Sequence, residues 1–398
     1  MSALDRVCVA VVRAASSRAR KHLTVGEQLR KVGDQARLVQ HGPILARFAL
    51  AKACRCRPPP AIIAAMSVLE VRGLRVAFGS TEVLRGVDLE VEAGRTLGIV
   101  GESGCGKSMT GLAIMGLLPY PGRVAAGEIL LDGRDLVREK ESRLRQIRGG
   151  DIAMVFQDPF TSLNPMMRVG DQVAEAIVLH RKESWKRARE LAIEQLRAVK
   201  VPSPESTAKK FPHQLSGGQR QRVMIAIAFA CHPRVLIADE PTTALDVTLQ
   251  AQILALLKEL QSEQNTAVIL ISHDIGVIGS VSDRIAVYYA GKVVEEGRAV
   301  DVLHAPAHPY TQGLLASLPS GQSRLQSIQG QPPDPKTLGV GCSFAVRCSF
   351  CHEKCDVEPG LMPALKFRAD VAHEFGNQWS SEDGSHSAAC WLVEGTNV

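Results

Sequence analysis

The chain has 398 residues, 45% of them hydrophobic and 22% charged, which is enough apolar material for a substantial buried core. Its net charge of +6 does not support nucleic-acid binding, because residues 1–66 hold 12 Lys and Arg against 3 Asp and Glu, a surplus of +9 that leaves the rest at −3. Aromatic residues are only 4%, which disfavours base-stacking surfaces. No apolar run reaches the roughly 18 residues of a membrane span, so work at a membrane requires docking by a partner.

Residues 1–66 form a basic, Ala- and Arg-rich extension ending in CRCRPPPAIIAAM. The composition changes at Met66, which is the expected working start, with the leader a gene-model extension. A transit-like targeting segment and a dispensable basic arm are the other two readings.

From Ser67 to about residue 320, short apolar runs alternate with helical stretches. RTLGIV (95–100), DIAMVF (151–156), RVLIAD (234–239) and AVILIS (267–272) are apolar on both faces and read as buried central strands. Residues 158–230, with WKRARELAIEQLRAV, read as a helical insertion, and TLQAQILALLKELQSEQ (248–264) as an amphipathic helix. GQSRLQSIQGQPPDP is a polar, proline-rich linker, and the remainder to 398 has few periodic runs and five cysteines.

Within this frame, GIVGESGCGKSMTG follows a strand and opens a helix. Gly101, Gly106, Lys107 and Ser108 fit G-x-x-x-x-G-K-S in its required context. Gly101, Gly104 and Gly106 let successive N–H groups face one concavity. Glu102, Ser103, Cys105 and Met109 fill the remaining positions and offer their backbone. Lys107 supplies a point charge for the β- and γ-phosphates, and the Ser108 hydroxyl can ligate Mg²⁺. In VLIADEPTTALD, Asp239 ends an apolar strand, placed to hold Mg²⁺ through water, and Glu240 follows as a base for the attacking water.

LSGGQ adds a second anion nest. Ser216, Gly217, Gly218 and Gln219 open the helix RQRVMIAIAFA, whose dipole adds positive potential. Two phosphate-binding helix starts but one complete nucleotide site point to a head-to-tail dimer, in which one subunit's nest closes on the γ-phosphate held by the other.

At this point the chain resembles the ATP-binding subunits of ABC transporters over about residues 67–393. The motifs stand in family order: Phe78, GESGCGKS, Gln157 in VFQDP, LSGGQ, VLIADEP, TALD, and His273 in ISHD. The resemblance implies an α/β fold: a P-loop NTPase core of ABC type with an antiparallel β subdomain and a helical subdomain. A small C-terminal Cys-rich region follows, from 321 to 398. It also implies that Phe78 stacks on adenine, Gln157 touches Mg²⁺ and the attacking water, Asp246 contacts the partner subunit, and His273 holds the γ-phosphate. Alone, Phe78 reads as a core aromatic, Gln157 as a solvated strand end and His273 as a structural histidine; their shared order reverses this. Thr243 departs from the serine that many members carry before Ala-Leu-Asp.

FQDPFTSLNPMMRVGDQVAEAI, HAPAHPYTQGLLASLP, IQGQPPDP and GCSFAVRCSFCHEKC are similar to the oligopeptide, dipeptide and nickel import branch. That branch implies a second, homologous ATPase subunit, two membrane permeases, an extracytoplasmic solute-binding protein, and a peripheral place on the cytoplasmic face of the membrane. Cys342, Cys348, Cys355 and Cys390 match the four-cysteine pattern that carries an iron–sulfur cluster in some members. Four thiolates suit [4Fe–4S] or Zn²⁺, with Cys351 a bystander or replacement; unligated thiols and disulfides are the alternatives. The rival functions are a soluble ABC-type ATPase acting on ribosomes or DNA, and an ATP-binding module without turnover. One ATPase core, no sustained heptads and an intact Glu240 and His273 disfavour both.

Overall fold

The computed structural model describes residues 67–243, 245–318, 328–364 and 385–393; the basic extension at 1–66 lies outside them. The elements below all belong to one unit, Ala64–Val398.

Two sheets carry the fold. In the first, β1 (Ser67–Phe78) and β2 (Thr81–Glu92) pair antiparallel, and β4 (Gly122–Leu131) and β5 (Arg134–Asp135) extend the sheet in the order β2-β1-β4-β5. Leu84, Val87, Leu89 and Val91 on β2 are buried, while Asp88 and Glu90 between them are exposed, the period-two pattern of a strand with one wet face.

The second sheet runs β11-β12-β10-β9-β3-β8-β7-β6. Its parallel part comprises β3 (Thr96–Val100), β6 (Ile152–Val155), β7 (Val235–Asp239), β8 (Ala267–Ser272) and β9 (Arg284–Tyr289). The four runs read from sequence as buried central strands are all here as parallel strands, but β6 is the sheet's edge strand, paired with β7 alone, rather than a central one. Alternate residues serve opposite layers. Ile237, Ile269, Ile271 and Tyr288 join the core shared with the first sheet, while Leu236, Ala238, Leu270 and Tyr289 join the core shared with the helices. A parallel strand covered on both faces leaves small polar or acidic side chains only at its ends, as at Thr96, Asp239 and Ser272.

Helix α1 (Lys107–Ile114) follows β3, and α2 (Glu141–Ile147) precedes β6. Five helices then separate β6 from β7: α3 (Pro159–Ser162), α4 (Val169–Arg181), α5 (Trp185–Ala198), α6 (Pro204–Thr207) and α7 (Gly217–Phe229). On α5, Ala188, Ala192 and Leu196 recur every fourth residue and are buried, and Ser184 caps the start by accepting from the Arg187 N–H at 3.3 Å. Helix α8 (Val247–Gln264) matches the amphipathic stretch read from sequence and stops where Asn265 turns left-handed, at φ 53°.

The chain closes with α9 (Ile275–Val281), the antiparallel β10 (Lys292–Arg298), α10 (Ala299–His304), α11 (Pro309–Ala316), β11 (Met362–Pro363) and β12 (Ser387–Ala388). This aperiodic part is attached by Phe344, which joins the helix-side core, and by polar groups. Glu295, fully buried on β10, accepts from the N–H groups of Ala307 (2.7 Å) and His308 (2.9 Å) and from His386 Nε2 (2.7 Å). A buried carboxylate is tolerated when its oxygens are satisfied in this way. Arg85 and Lys292 meet Glu358 at 2.8 and 2.6 Å, joining the Cys-rich segment to β2 and β10.

His308 caps α11 by accepting the Tyr310 N–H on Nδ1 at 3.0 Å. Burial lowers its pKa from 6.5 to about 4, against the opposing pull of Glu295, so the native ring is neutral. The unfolded chain takes up this proton near the ordinary value. The group therefore contributes no penalty above about pH 6.5 and increasingly destabilises the fold as pH falls toward 4. Replacing His308 by Asn, which can also cap, is expected to flatten the loss of melting temperature across that window. Equal slopes for the two proteins would assign the acid sensitivity elsewhere.

Candidate functional site

Parallel strands in the order β9-β3-β8-β7-β6 set their carboxyl ends side by side, and every element of the candidate site leaves from that edge. The phosphate loop follows β3, Asp239 and Glu240 end β7, His273 follows β8, and Gln157 lies two residues beyond β6.

The loop at 101–106 depends on its glycines. Gly101 has φ 156°, and a Cβ there would stand 2.3 Å from the Tyr288 carbonyl; Gly106, with φ 105°, would meet Leu84 at 2.6 Å. No other residue fits both conformation and space. The loop is tied to the β9–β10 turn by the Gly291 N–H donating to the Cys105 carbonyl at 3.0 Å. Cys105 is buried, and burial raises its thiol pKa, which keeps it protonated. Ser103 and Gly104 are exposed, and Met109 packs against the first-sheet core.

Lys107 is buried, and its ammonium donates to the carbonyls of Gly101 (2.7 Å) and Glu102 (3.0 Å), which holds it across the loop. One residue on, the Ser108 hydroxyl donates to Asp239 Oδ1 at 3.0 Å. Burial raises the Asp239 pKa while the Ser108 bond lowers it, and neighbouring Glu240 raises it further. A divalent cation at this pair would remove the cost of that buried charge, and hydroxyl plus carboxylate is the hard oxygen donor set that Mg²⁺ takes.

Glu240 collects the rest. It adopts a left-handed φ of 45°, and its N–H donates to the Ile271 carbonyl of the adjacent strand at 2.9 Å. That non-glycine strain turns the side chain out at the strand end. Its Oε2 accepts from Gln157 Nε2 (2.9 Å) and from the Thr243 hydroxyl (2.9 Å), and its Oε1 lies 3.3 Å from His273 Nδ1. The structure thus brings Gln157, Glu240 and His273 into direct contact, with Asp239, Ser108 and Lys107 adjoining. Thr243, read from sequence as a minor departure, is a hydrogen-bond partner of Glu240.

Three groups lie elsewhere. Ser216 caps α7: its hydroxyl accepts the Gln219 N–H (3.4 Å), and Gln219 Oε1 accepts the Ser216 N–H (3.2 Å), a reciprocal capping box. Gly218 is required by packing, since a Cβ would stand 2.4 Å from Leu249 of α8; a Cβ on Gly217 would make only an ordinary 4.0 Å contact with Leu245. Among the described residues no hydrogen bond joins this cap to the 101–108 loop. Asp246 is exposed and caps α8 through the Leu249 N–H at 2.9 Å. Phe78 ends β1 opposite Thr81 and Gly122, half-buried against the first-sheet core.

Two partners of the loop escaped the sequence reading. The Tyr310 hydroxyl accepts the Glu102 N–H at 2.8 Å, and Arg347 forms a two-bond pair with the Glu102 carboxylate, at 2.6 and 2.9 Å. Neither lies in a motif that names such a contact.

The cysteines require a correction. Among the described residues no group of three or more His, Cys, Asp or Glu stands where it could hold a metal ion, so the geometry carries neither the zinc nor the iron–sulfur reading. None of the seven described cysteines is joined to another by a disulfide in this structure. Cys342, Cys348, Cys355 and Cys390 nonetheless line one pocket together with His352, whose Nδ1 lies 3.4 Å from Cys355 Sγ. Burial raises the thiol pKa values of Cys342, Cys348 (to about 11) and Cys390 (to about 12), so these sulfurs are protonated and poor nucleophiles near neutral pH.

The sequence and fold have known counterparts. The ABC transporter family model matches residues 84–243, and that of the oligopeptide/dipeptide transporter C-terminal region matches 294–355. The dipeptide transport ATP-binding protein DppD of Bacillus subtilis is 47% identical over 335 residues, covering 82% of this chain and 95% of its own. OppD, the oligopeptide transport ATP-binding protein of the same organism, is 50% identical over 300 residues, covering 73% of this chain and 84% of its own. DppD of Escherichia coli is 48% identical, with coverages of 77% and 94%. Among solved structures, the dimeric ATP-binding cassette MJ0796 in a post-hydrolysis state with ADP and Pi superposes with TM-score 0.52 at 30% identity, covering 58% of this chain and 98% of that one. The cassette cbiO1 of Clostridium perfringens gives 0.53 at 29%, with coverages of 60% and 91%.

Removing the Thr243 hydroxyl with Thr243→Val is expected to leave nucleotide affinity within about two-fold and to lower the hydrolysis rate about ten-fold, the equivalent of one lost hydrogen bond of roughly 1.4 kcal/mol. Steady-state phosphate release and nucleotide titration separate the two effects. An unchanged rate would mean that Thr243 does not orient Glu240.

Proposed function

Since the chain belongs to the ATP-binding subunits of the oligopeptide/dipeptide ABC transporters, an ATPase family that works on ATP with Mg²⁺, we propose that it hydrolyses ATP to drive uptake of peptides or a related small solute. The observation that carries the mechanism is the contact of Glu240 with Gln157, Thr243 and His273, beside the Lys107–Ser108–Asp239 group.

In this reading Lys107 exchanges the Gly101 and Glu102 carbonyls for phosphate oxygens, and the loop N–H groups take the rest of the negative charge. Ser108 and Asp239, with Gln157 beside them, would hold Mg²⁺, which would supply positive charge to the phosphate oxygens. Glu240 orients the attacking water and accepts its proton. His273, largely exposed and in contact with Glu240, reaches the γ-phosphate, and Phe78 stacks on adenine.

The Ser216–Gln219 cap is separate from the loop and exposed at Ser216, which supports its use by a second subunit, with Asp246 at the same contact. The partners are a second, homologous ATPase subunit, two permeases and an extracytoplasmic binding protein, with this chain peripheral on the cytoplasmic face. Among the described residues no helix is long and apolar enough to cross a membrane. The domain limits proposed are 67–320 for the ATPase, including a helical part at about 158–230, and 321–398 for the C-terminal region.

Glu240→Gln is expected to retain ATP affinity, lose hydrolysis by more than a hundred-fold, and accumulate an ATP-dependent dimer in size-exclusion chromatography. Ser216→Arg in the same background is expected to abolish that dimer. Normal hydrolysis by Glu240→Gln would remove Glu240 as the base.

A [4Fe–4S] cluster is the further cofactor proposed for Cys342, Cys348, Cys355 and Cys390. Its support is four soft donors around one pocket, together with the resemblance of these cysteines to the four-cysteine pattern of some branch members. Protein purified without oxygen should contain about four iron and four sulfide per chain, and a Cys348→Ser/Cys390→Ser variant should contain none. Iron-free, folded wild-type protein from iron-replete cells would exclude the cluster.

A further inference from the structure

The phosphate loop is held from outside the ATPase motifs. Glu102, its second residue, is gripped at both ends by the C-terminal part of the chain. Its N–H donates to the hydroxyl of Tyr310 on α11 at 2.8 Å. Its carboxylate takes two parallel bonds from the Arg347 guanidinium, Nη1 to Oε2 at 2.6 Å and Nη2 to Oε1 at 2.9 Å. The two residues are 245 positions apart in sequence, so only tertiary structure pairs them.

Arg347 is itself fixed. Its side chain is only 5% exposed, against 26% for Glu102. Its Nε donates to the Gln329 carbonyl (2.9 Å), Nη2 also reaches the Gly330 carbonyl (3.3 Å), and Nη1 reaches the Tyr289 hydroxyl (3.3 Å). The guanidinium lies 5.8 Å from the Tyr289 ring centre and 6.0 Å from that of Phe344. Tyr289, Tyr310 and Phe344 in turn pack on one another, with centroids 4.6 to 5.5 Å apart. An arginine with this many fixed partners cannot swing away without breaking several contacts at once.

The pair addresses an electrostatic problem in the loop. Lys107 bonds the Gly101 and Glu102 carbonyls, so the Glu102 backbone belongs to the phosphate-binding surface. A free carboxylate on that residue would repel an incoming triphosphate and could draw Lys107 toward itself. A planar two-bond pair with arginine neutralises the carboxylate and sets its direction. Lysine would neutralise it without fixing its direction.

We propose that Arg347 is a positioning residue for the nucleotide site: through Glu102, and together with Tyr310, it holds the phosphate loop in its binding shape. The C-terminal region thereby governs nucleotide affinity. The inference rests on the phosphate loop being the nucleotide site and goes beyond the roles assigned to the ATPase motifs. Arg347 directly precedes Cys348, so the thiol-lined pocket and the phosphate loop are joined by a single residue.

The test is a mutant cycle on the full-length chain, read by titration with a fluorescent ATP analogue in Mg²⁺ and by thermal melting. Arg347→Ala is expected to weaken binding about ten-fold or more, and Arg347→Lys to restore part of the loss. Glu102→Gln removes the charge that needs pairing, so adding Arg347→Ala to it should cost less than three-fold further. Lys107→Ala is the control for the site itself and should abolish binding in every background. If Lys107→Ala binds normally, the nucleotide-site assignment fails. If Lys107→Ala loses binding while Arg347→Ala binds as wild type, or the Arg347 and Glu102 effects simply multiply, the positioning role fails. Should Arg347→Ala not fold, Glu102→Gln against the Glu102→Gln/Arg347→Lys double variant decides the same coupling.

Discussion

The fold is organised around the backbone of residues 101–106, which must turn sharply at the end of a buried strand so that a helix can start at Lys107. That demand is conformational before it is chemical. Gly101 and Gly106 occupy backbone angles and spaces that leave no room for a side chain, and the loop must leave β3 where a helix can start at Lys107. Around it, the parallel order β9-β3-β8-β7-β6 brings four further strand ends to the same edge, three of them followed by site residues. Because parallel strands share one direction, everything they carry at their carboxyl ends meets there.

Charge at that edge is handled by pairing. Asp239 is kept beside Ser108, Lys107 lies across the loop carbonyls, and Glu240 is turned outward by a strained backbone into contact with an amide, a hydroxyl and an imidazole. Glu102, the one acid inside the loop, is paired with Arg347 from the far end of the chain. The region after α11 is thus more than an appendage. It is attached through the buried Glu295, through Glu358 with Arg85 and Lys292, and through Arg347, and each link is an acid satisfied by groups distant in sequence.

The two uses of a helix start differ in kind. At Gly106 the helix opens onto the loop cavity, and at Ser216 the exposed N-terminal groups are occupied by the reciprocal Ser216–Gln219 cap. The same sequence chemistry, a small or hydroxyl residue beside glycines, can close on itself or on an anion. In the dimeric reading the cap is a stable resting arrangement that a second subunit's nucleotide displaces.

Much of this was legible without coordinates. The central strands are apolar on both faces, and α8 has a helical stripe between a capping Asp246 and a left-handed Asn265. These patterns are local, so spacing alone reveals them. The glycine-rich loop, Asp239, Glu240 and LSGGQ stand out in the sequence for the same reason: each motif lies within a few consecutive residues. Illegible were Thr243 as a partner of Glu240, the grip of Tyr310 and Arg347 on Glu102, and the disposition of the late cysteines. The last two depend on which distant side chains the packing of two sheets and an aperiodic tail brings within reach; Thr243, only three residues from Glu240, was hidden because the left-handed turn at Glu240, not the spacing, decides that contact. Local sequence determined the chemistry available at each strand end; burial and long-range pairing decided which of those groups touch.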